Sequence, residues 1–251
     1  MSGKYMAYVG SYSYTGKAKG ITVFDVDVEN GTFKERCEIE VDNSSYVIAS
    51  SDGKTLYSIA DEGVVSFRIL PNGSLARLNS ASIRGMRGCH LCTDEEDKYV
   101  FVSGYHDGKT TVLSLNPDGS VGKIVDGVFD RGYGSVAERN FRPHVTCTRR
   151  MPDNRFVLSV DNGIDQVKIY RFNDKEQKLV QVDAIRCDLE SAPRHFRYSK
   201  DGKFIYLMYE LKKAIEVYTY KTGDRAPVIE KIQTISTTST KKPDNLTAAC
   251  A

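Results

Sequence analysis

The stretch YSKDGKFIYLM (198–208) decides the fold, because the chain repeats its pattern three more times. The other copies are SSDGKTLYSIA (50–60), DEEDKYVFVSG (94–104) and RMPDNRFVLSV (150–160). Each copy places an acidic residue, a turn residue and a basic residue before a run of apolar and β-branched residues. This order is typical of a tight turn that leads into a strand. Such internal similarity predicts a repeat architecture.

The segments between the copies add further turns and strands. The acidic residues of the four copies lie 44, 57 and 48 positions apart (Asp52, Glu96, Asp153 and Asp201). Asn-Gly and Asp-Gly steps follow alternating segments such as VVSFRIL (64–70) and TTVLSLN (110–116), and these steps are strong hairpin signals. The sequence therefore predicts an all-β fold, a β-propeller whose blades are four-stranded antiparallel sheets.

The two ends of the chain are incomplete blades in this interpretation. MAYVGSYS (6–13), GITVFDVD (20–27) and TFKERCEIEV (32–41) supply three strands at the N-terminus. KKPDNLTAACA (241–251) resembles the beginning of a further blade. We expect residues 1–251 to form one propeller domain of about five blades, with the last blades missing by truncation. The alternative is a compact five-bladed ring.

Composition excludes several functional classes. The formal net charge is +2, from 35 basic and 33 acidic residues, so the sequence does not predict a nucleic-acid partner. No apolar run approaches the roughly 18 residues of a membrane helix, and no secretory signal is visible at the N-terminus. We expect a cytoplasmic protein without membrane or nucleic-acid partners, and the sequence does not indicate its oligomeric state.

The six cysteines predict thiols rather than a metal site. Cys89 and Cys92 form a lone C-x-x-C, and no second ligand pair stands at a spacing suited to structural zinc. We expect no metal and no cofactor.

Histidines and a tyrosine recur where the innermost strands begin. Nine positions before the strands that start at Thr55, Tyr99 and Phe204 stand, respectively, Tyr46, His90 and His195. In the remaining unit His144 stands twelve positions before Phe156, as if that unit were three residues longer. The innermost strands of a propeller line its central channel, so these side chains are candidate site residues. The fourth histidine, His106, falls in a turn, where we expect exposure to solvent.

Arg194 and Glu210 form the sharpest candidate pair. Arg194 stands at the start of one strand and Glu210 at the end of the next, and adjacent antiparallel strands bring such positions together. An arginine near a channel needs an anion or a carboxylate. A structural ion pair is one interpretation, and an anion-binding arginine beside a carboxylate base is the other.

Three segments carry a more specific pattern: SSYVIASSDGKTLYS (44–58), VDNGIDQVKIYRF (160–172) and above all APRHFRYSKDGKFIYLMYEL (192–211). Taken in this order, they resemble the seven-bladed propeller lactonase family, which includes propeller-type 6-phosphogluconolactonases and carboxymuconate lactonising enzymes. The resemblance implies a ring of seven blades, of which this chain would cover about five, and a site in the central channel.

The resemblance also implies site residues and a reaction. His144, Arg194 and Glu210 match the family's catalytic positions. His90, His195 and Tyr46, which the spacing singles out, are the substrate-binding candidates. The chain departs from the pattern at three positions, where Tyr209, Ala192 and Thr146 replace the family's usual Asn, Gly and His. The implied reaction is metal-independent hydrolysis of a sugar lactone, foremost 6-phosphogluconolactone, with Arg194 stabilising the oxyanion.

Several alternatives stay open on the sequence alone. Either Glu210 or His144 serves as the general base. The same constellation fits an isomerase that lactonises a muconate, and a propeller can also be a non-enzymatic binding scaffold. A metal-dependent lactonase would use Asp161 and Asn162 as ligands, although Asn-Gly at 162–163 also reads as ordinary turn chemistry.

Overall fold

The computed structural model of the chain describes residues 5–135, 141–238 and 248–249. These residues form strands, turns and loops, and no helix occurs among them. The prediction of an all-β fold is therefore confirmed. None of the described segments has the helical length and apolar character that crossing a bilayer requires.

The strands form one three-stranded and four four-stranded sheets, each with its strands in sequence order. The first sheet holds β1 (Tyr5–Gly10), β2 (Gly20–Asp27) and β3 (Thr32–Glu40). The second holds β4 (Val47–Ala49), β5 (Thr55–Ala60), β6 (Gly63–Ile69) and β7 (Leu75–Ser82), and the third holds β8 (His90–Thr93), β9 (Tyr99–Gly104), β10 (Lys109–Leu115) and β11 (Val121–Phe129). The fourth holds β12 (Val145–Arg150), β13 (Phe156–Asp161), β14 (Gln166–Arg171) and β15 (Val180–Arg186), and the fifth holds β16 (Pro193–Tyr198), β17 (Phe204–Tyr209), β18 (Ala214–Lys221) and β19 (Val228–Ser236).

This topology confirms the blade interpretation. Neighbouring strands of the first, second, fourth and fifth sheets pair in antiparallel register, and each repeat supplies four strands. The incomplete N-terminal blade has three strands, as expected. The predicted start of a further blade at 241–251 lies outside the described residues, apart from 248–249.

The repeated turn has the same backbone in all four copies. Its second residue is Gly53, Asp97, Asn154 or Gly202, with φ of 70°, 51°, 56° and 69° respectively. Left-handed backbone favours Gly, Asn and Asp over other residues. The sequence pattern thus reflects one conformational requirement, met by three residue types.

The chain is divided into two compact units. Unit 1 comprises residues 1–102 and 112–124, and unit 2 comprises residues 103–111 and 125–251. The division runs through β9, β10 and β11. Each unit has apolar cores between neighbouring sheets, one of which in unit 1 includes Tyr57, Ile59 and Leu113.

In unit 2 the two faces of the fourth sheet differ. Phe156, Leu158 and Val160 join a core with Phe196 and Leu207 of the fifth sheet. The alternate residues of β13 point to the opposite face, because side chains alternate along a strand. That face carries Ser159 and Asp161, both buried, and it supplies part of the candidate site.

Candidate active site

Arg194 and Glu210 are neighbours, as the strand order predicts. The guanidinium Nη1 of Arg194 donates to Oε2 of Glu210 at 2.6 Å. The arginine side chain is 32% exposed and the glutamate side chain 7%. The ion pair therefore presents one accessible cation, held by a buried carboxylate.

The backbone around this pair is irregular. Pairing of β16 with β17 shifts register between Pro193 and His195, which leaves Arg194 as the extra residue of a β-bulge. Bulges re-aim side chains and occur often beside active sites. The main-chain N–H of Glu210 donates to the carbonyl of Ala192 at 2.8 Å, which ties the two ends of the strand pair together.

β12 carries a bulge at the matching position. Its register with β13 shifts between Val145 and Cys147, so that Thr146 is the extra residue. The hydroxyl of Thr146 donates to the main-chain carbonyl of Arg194 at 2.7 Å. Thr146 stands where the resemblance leads one to expect a histidine, and its hydroxyl couples the two bulges.

His144 is buried in the loop that precedes β12. Its Nδ1 lies 2.6 Å from the carbonyl oxygen of Tyr105, so the Nδ1–H donates there and Nε2 carries the lone pair. The Tyr105 ring stacks on the imidazole with centroids 4.2 Å apart. Burial lowers the pKa of His144, and the nearby positive charge of Arg142 acts in the same direction. The imidazole is consequently neutral at neutral pH.

Asn162 joins His144 to the ion pair. The main-chain N–H of Asn162 donates to the carbonyl of His144 at 2.9 Å, and its side-chain Nδ2 donates to Oε2 of Glu210 at 3.4 Å. The three predicted catalytic residues thus belong to one connected polar arrangement within unit 2. Sequence reasoning treated Asn162 as a turn residue or a metal ligand and missed this bridging role.

The predicted equivalence of His144 with Tyr46, His90 and His195 is wrong. Cys147 pairs with Val160, and His195 pairs with Met208. Cys147 precedes His195 by 48 positions, and Val160 precedes Met208 by the same number. Cys147 therefore holds the position equivalent to His195, and no three-residue insertion lies between this position and Phe156. The nine-residue count from Phe156 would have found it, but a cysteine did not resemble the histidines.

The imidazole of His195 contacts the guanidinium of Arg197. Its Nε2 accepts a hydrogen bond from Nη1 of Arg197. Burial lowers the pKa of His195 to about 4, with help from the charges of Arg197, Arg149 and Arg194. His195 is therefore a neutral hydrogen-bond acceptor, and its predicted contact with substrate stays a prediction.

Tyr46 and His90 lie in unit 1, where their ring centroids are 4.9 Å apart. His90 is buried and Tyr46 partly buried, and their substrate-binding role stays a prediction. His106 is exposed, as its turn position indicated.

Asp161, proposed as one ligand of the metal-dependent alternative, is already engaged. Its Oδ1 accepts main-chain hydrogen bonds from His144 at 2.8 Å, Gly163 at 2.9 Å and Ile164 at 3.3 Å. Three N–H donors aimed at one oxygen are the chemistry of a loop cap and compete with a cation for it. The arrangement favours the turn interpretation.

Ala192 is one of the three positions at which the chain departs from the family pattern. It is buried, with φ of 51°, a left-handed conformation in which glycine is more stable. Asp165 holds the segment by accepting main-chain hydrogen bonds from Glu190 at 2.9 Å and Ala192 at 2.8 Å. The chain keeps the backbone of a glycine at this position and tolerates the alanine.

Known proteins are similar to this chain in sequence and in fold. A family model described as "Lactonase, 7-bladed beta-propeller" matches residues 6–250. A 6-phosphogluconolactonase from Bacillus subtilis (strain 168) is 31% identical over 248 residues, an alignment that covers 96% of this chain and 69% of that protein. A crystal structure described as a candidate 6-phosphogluconolactonase from Bacteroides fragilis NCTC 9343 superposes with a TM-score of 0.85 at 30% identity, covering 94% of this chain and 68% of that one.

The relatives are longer than this chain. The 6-phosphogluconolactonase of Formosa agariphila is 27% identical over 228 residues, which cover 65% of its length. An uncharacterised protein of Staphylococcus saprophyticus is covered over 63% of its length. The chain thus spans about two thirds of the curated relatives that it matches.

Proposed function

The chain belongs to the seven-bladed β-propeller lactonase family, and on that premise we propose that it hydrolyses a sugar lactone, with 6-phosphogluconolactone as the foremost substrate. The single observation that carries the proposal is the buried Glu210 carboxylate that holds a partly exposed Arg194 and is bridged by Asn162 to a neutral His144. The name of the Bacillus subtilis relative supports the choice of substrate.

We assign the general base to His144. Glu210 Oε2 already accepts hydrogen bonds from Arg194 and Asn162, which suits a carboxylate that orients the arginine. His144 is neutral and keeps its lone pair on Nε2, because Nδ1–H is directed at the Tyr105 carbonyl. A neutral imidazole is ready to take a proton from water.

Arg194 stabilises the negative charge that develops on the lactone. As water attacks the carbonyl carbon, its proton passes to His144 Nε2 and the carbonyl oxygen becomes an oxyanion. A guanidinium aimed at that oxygen stabilises the transition state more than the ground state. The ring C–O bond then breaks, the ring oxygen takes the proton back from His144, and the product is a hydroxy acid.

The proposed chemistry is metal-independent. The charge stabilisation that a metal ion would provide comes from Arg194, whose guanidinium is always protonated. A chelator should therefore leave the rate unchanged. The cytoplasmic location stays a prediction from sequence.

The substrate assignment is tested by comparing lactones. Acid release by the purified chain is followed in a pH-stat after subtraction of spontaneous hydrolysis, with 6-phosphogluconolactone, unphosphorylated gluconolactone and a muconolactone. The proposal expects the highest kcat/KM for the phosphorylated sugar lactone. Turnover confined to the muconolactone would replace it with the isomerase alternative, and binding without turnover would favour the scaffold.

A further inference from the structure

Two carboxyl groups that the proposed reaction does not use are buried together in unit 2. Asp161 ends β13, and Asp130 follows β11 directly. Both side chains are almost completely removed from solvent. Burying two like charges side by side is strongly unfavourable unless one of the groups is protonated.

Asp130 has cationic and hydroxyl partners on one oxygen only. Its Oδ1 lies 3.0 Å from Nζ of Lys168 and accepts the Tyr170 hydroxyl at 3.1 Å, and both partners come from β14. Its Oδ2 is buried and accepts no hydrogen bond from an N–H or O–H of the described residues. Burial and the charge of Asp130 raise the pKa of Tyr170, so the phenol stays a donor.

The two oxygens of Asp161 also differ in their hydrogen bonds. Oδ1 accepts the three main-chain N–H groups of the 144 and 163–164 segments. Oδ2 is buried and, among the described residues, has no N–H or O–H donor. The two carboxyl groups interact with each other, and a single proton between them satisfies both otherwise unpaired oxygens.

Charge balance agrees with one proton. Lys168 offsets the charge of an ionised Asp130, and the three N–H groups on Asp161 Oδ1 are compatible with a protonated carboxyl at Oδ2. The other titratable groups on neighbouring segments are Tyr170, the neutral imidazole of His144, and Lys109, whose Nζ lies 5.1 Å from the Phe129 ring centroid. Burial and the adjacent Asp130 raise the pKa of Asp161 to about 8.

The acid pair, Asp130 with Asp161, is linked directly to the candidate catalytic residues. Asp161 Oδ1 accepts a hydrogen bond from the main-chain N–H of His144 at 2.8 Å. The next residue, Asn162, donates its main-chain N–H to the His144 carbonyl and its side-chain amide to Glu210. Gly163 packs so closely that a Cβ there would lie 1.7 Å from the Arg142 carbonyl oxygen and 2.9 Å from Cδ2 of His144. The position of the Asp161 carboxyl therefore sets the position of the His144 loop.

We propose that Asp130 and Asp161 share one proton and that this protonated pair positions His144 and, through Asn162, Glu210. Both are positioning residues, because they act through the His144 loop. Loss of the proton sets two negative charges against each other and pushes the Asp161 carboxyl away from the N–H groups of the His144 loop. The catalytic consequence rests on the proposed function, whereas the shared proton does not.

The shared proton has a definite effect on stability. Its folded-state pKa, about 8, lies above the ordinary value of 3.8. The stability that it contributes is complete below pH 3.8 and is lost progressively as pH rises to 8. Between those values the folded state holds one proton more than the unfolded state, so the unfolding constant rises by on the order of tenfold per pH unit from this group.

Asp161→Asn is the sharpest test, because an asparagine mimics the protonated acid. Its Oδ1 accepts the same three N–H groups and its Nδ2 donates to Asp130. We expect urea unfolding between pH 5 and 8 to show this variant gaining stability relative to wild type as pH rises. Asp224→Asn, which replaces an exposed carboxylate, is the control. Its stability should depend on pH in the same way as that of wild type. Infrared spectra of the wild type should show a protonated-carboxyl carbonyl band at pH 7 that titrates near pH 8 and is absent in Asp161→Asn.

Asp130→Asn is the second variant, since it also removes the repulsion while leaving an ionised Asp161. It too should lack the band at pH 7. Parallel stability profiles for wild type and Asp161→Asn, or no band in the wild type, would overturn the shared proton. A stability change on addition of EDTA or Ca²⁺ at pH 7 that is lost in Asp161→Asn would replace the proton by a cation and would also overturn it.

Positioning is read from His144 itself and from the rate. The chain has only four histidines, so the His144 imidazole resonance can be assigned with His144→Gln. We expect this resonance to shift as pH rises through about 8 in wild type and not in Asp161→Asn. Over the same pH range, kcat should fall only in wild type. An unmoved resonance would overturn the positioning role. If the wild-type protein has no lactonase activity but its His144 resonance still shifts near pH 8, the lactonase proposal is refuted and the positioning role stands.

Discussion

At the scale of single residues, the central feature is a histidine kept neutral by its surroundings. Burial and the charge of Arg142 lower the pKa of His144, and the Tyr105 carbonyl fixes its tautomer. A base of this kind is active in its deprotonated form. Its activity is therefore present above its folded pKa and lost as pH falls below it.

The acid limb of the pH–rate profile tests which group is the base. We predict that kcat/KM falls about tenfold per pH unit on a limb whose midpoint lies below 6.5. His144→Gln should lower the rate about 100-fold and abolish the limb. Rates are measured by initial acid release corrected for spontaneous hydrolysis. Retention of the limb in His144→Gln would transfer the role of base to Glu210.

Ala192 offers a test of backbone strain beside the ion pair. An L-residue in the left-handed region costs about 1–2 kcal/mol, whereas glycine there adds about 0.5–1 kcal/mol of chain entropy in the unfolded state. We predict that Ala192→Gly leaves the free energy of unfolding unchanged or raises it by up to about 1 kcal/mol. Ala192→Val should lower it by about 2 kcal/mol or more, since a branched side chain fits neither this φ nor the buried space. Urea denaturation of both variants gives the comparison, and equal stability of the two would refute the strain argument.

At the scale of strands, the fifth sheet is held by one buried carboxylate. Glu216 of β18 accepts hydrogen bonds from Tyr209 of β17 at 2.6 Å, from Tyr218, from Lys212 at 2.8 Å and from Lys231 of β19 at 3.1 Å. Burial opposes ionisation of Glu216, but these donors outweigh it and lower its pKa to about 2. Tyr209, which replaces the family's usual Asn, is thus an anchor of the sheet that carries Glu210.

This network predicts a pH-dependent loss of stability. The folded pKa of Glu216 lies below the ordinary value of 4.5, so its contribution is present above pH 4.5 and is lost as pH falls towards 2. Glu216→Gln should lower the free energy of unfolding by about 2–3 kcal/mol at pH 6. The difference from wild type should shrink between pH 4.5 and 3. Glu230→Gln, on the same sheet in a strand of mostly exposed residues, is the matched control, and a pH-independent difference would contradict the assignment.

The strands were predictable from sequence, but their irregularities were not. Turn residues such as Gly53 and Asn154 mark each repeat because a left-handed backbone restricts the choice of residue. The bulges at Thr146 and Arg194 leave no comparable mark. The nine-residue count from Phe156 reaches Cys147, but only the bulge and the register show that this cysteine, and not His144, holds the position equivalent to His195.

The sequence predicted some of the contacts in the candidate site and missed others. Arg194 and Glu210 meet because strand order alone brings them together. Asp130 and Asp161 are 31 positions apart in sequence, and each reads locally as a residue at the end of a strand. Only the packing of the third and fourth sheets' residues within unit 2 reveals that they form a buried pair.

At the scale of the whole molecule, the proposed catalytic residues fall within one compact unit. His144, Arg194 and Glu210 belong to unit 2, and Tyr46 and His90 to unit 1. The family match extends over residues 6–250, while the chain spans 69% of the Bacillus subtilis relative. The described sheets correspond to about five blades of a family with seven.

The most direct test of the account is the rate of 6-phosphogluconolactone hydrolysis by wild type, Arg194→Ala and Arg225→Ala. Arg194 is held by Glu210, whereas Arg225 is an exposed arginine on the β18–β19 connection. We predict a wild-type rate well above spontaneous hydrolysis, a loss of about 100- to 1,000-fold in kcat for Arg194→Ala, and wild-type activity for Arg225→Ala. Far-UV circular dichroism confirms that each variant is folded. A folded Arg194→Ala variant with the wild-type rate would contradict the proposed site.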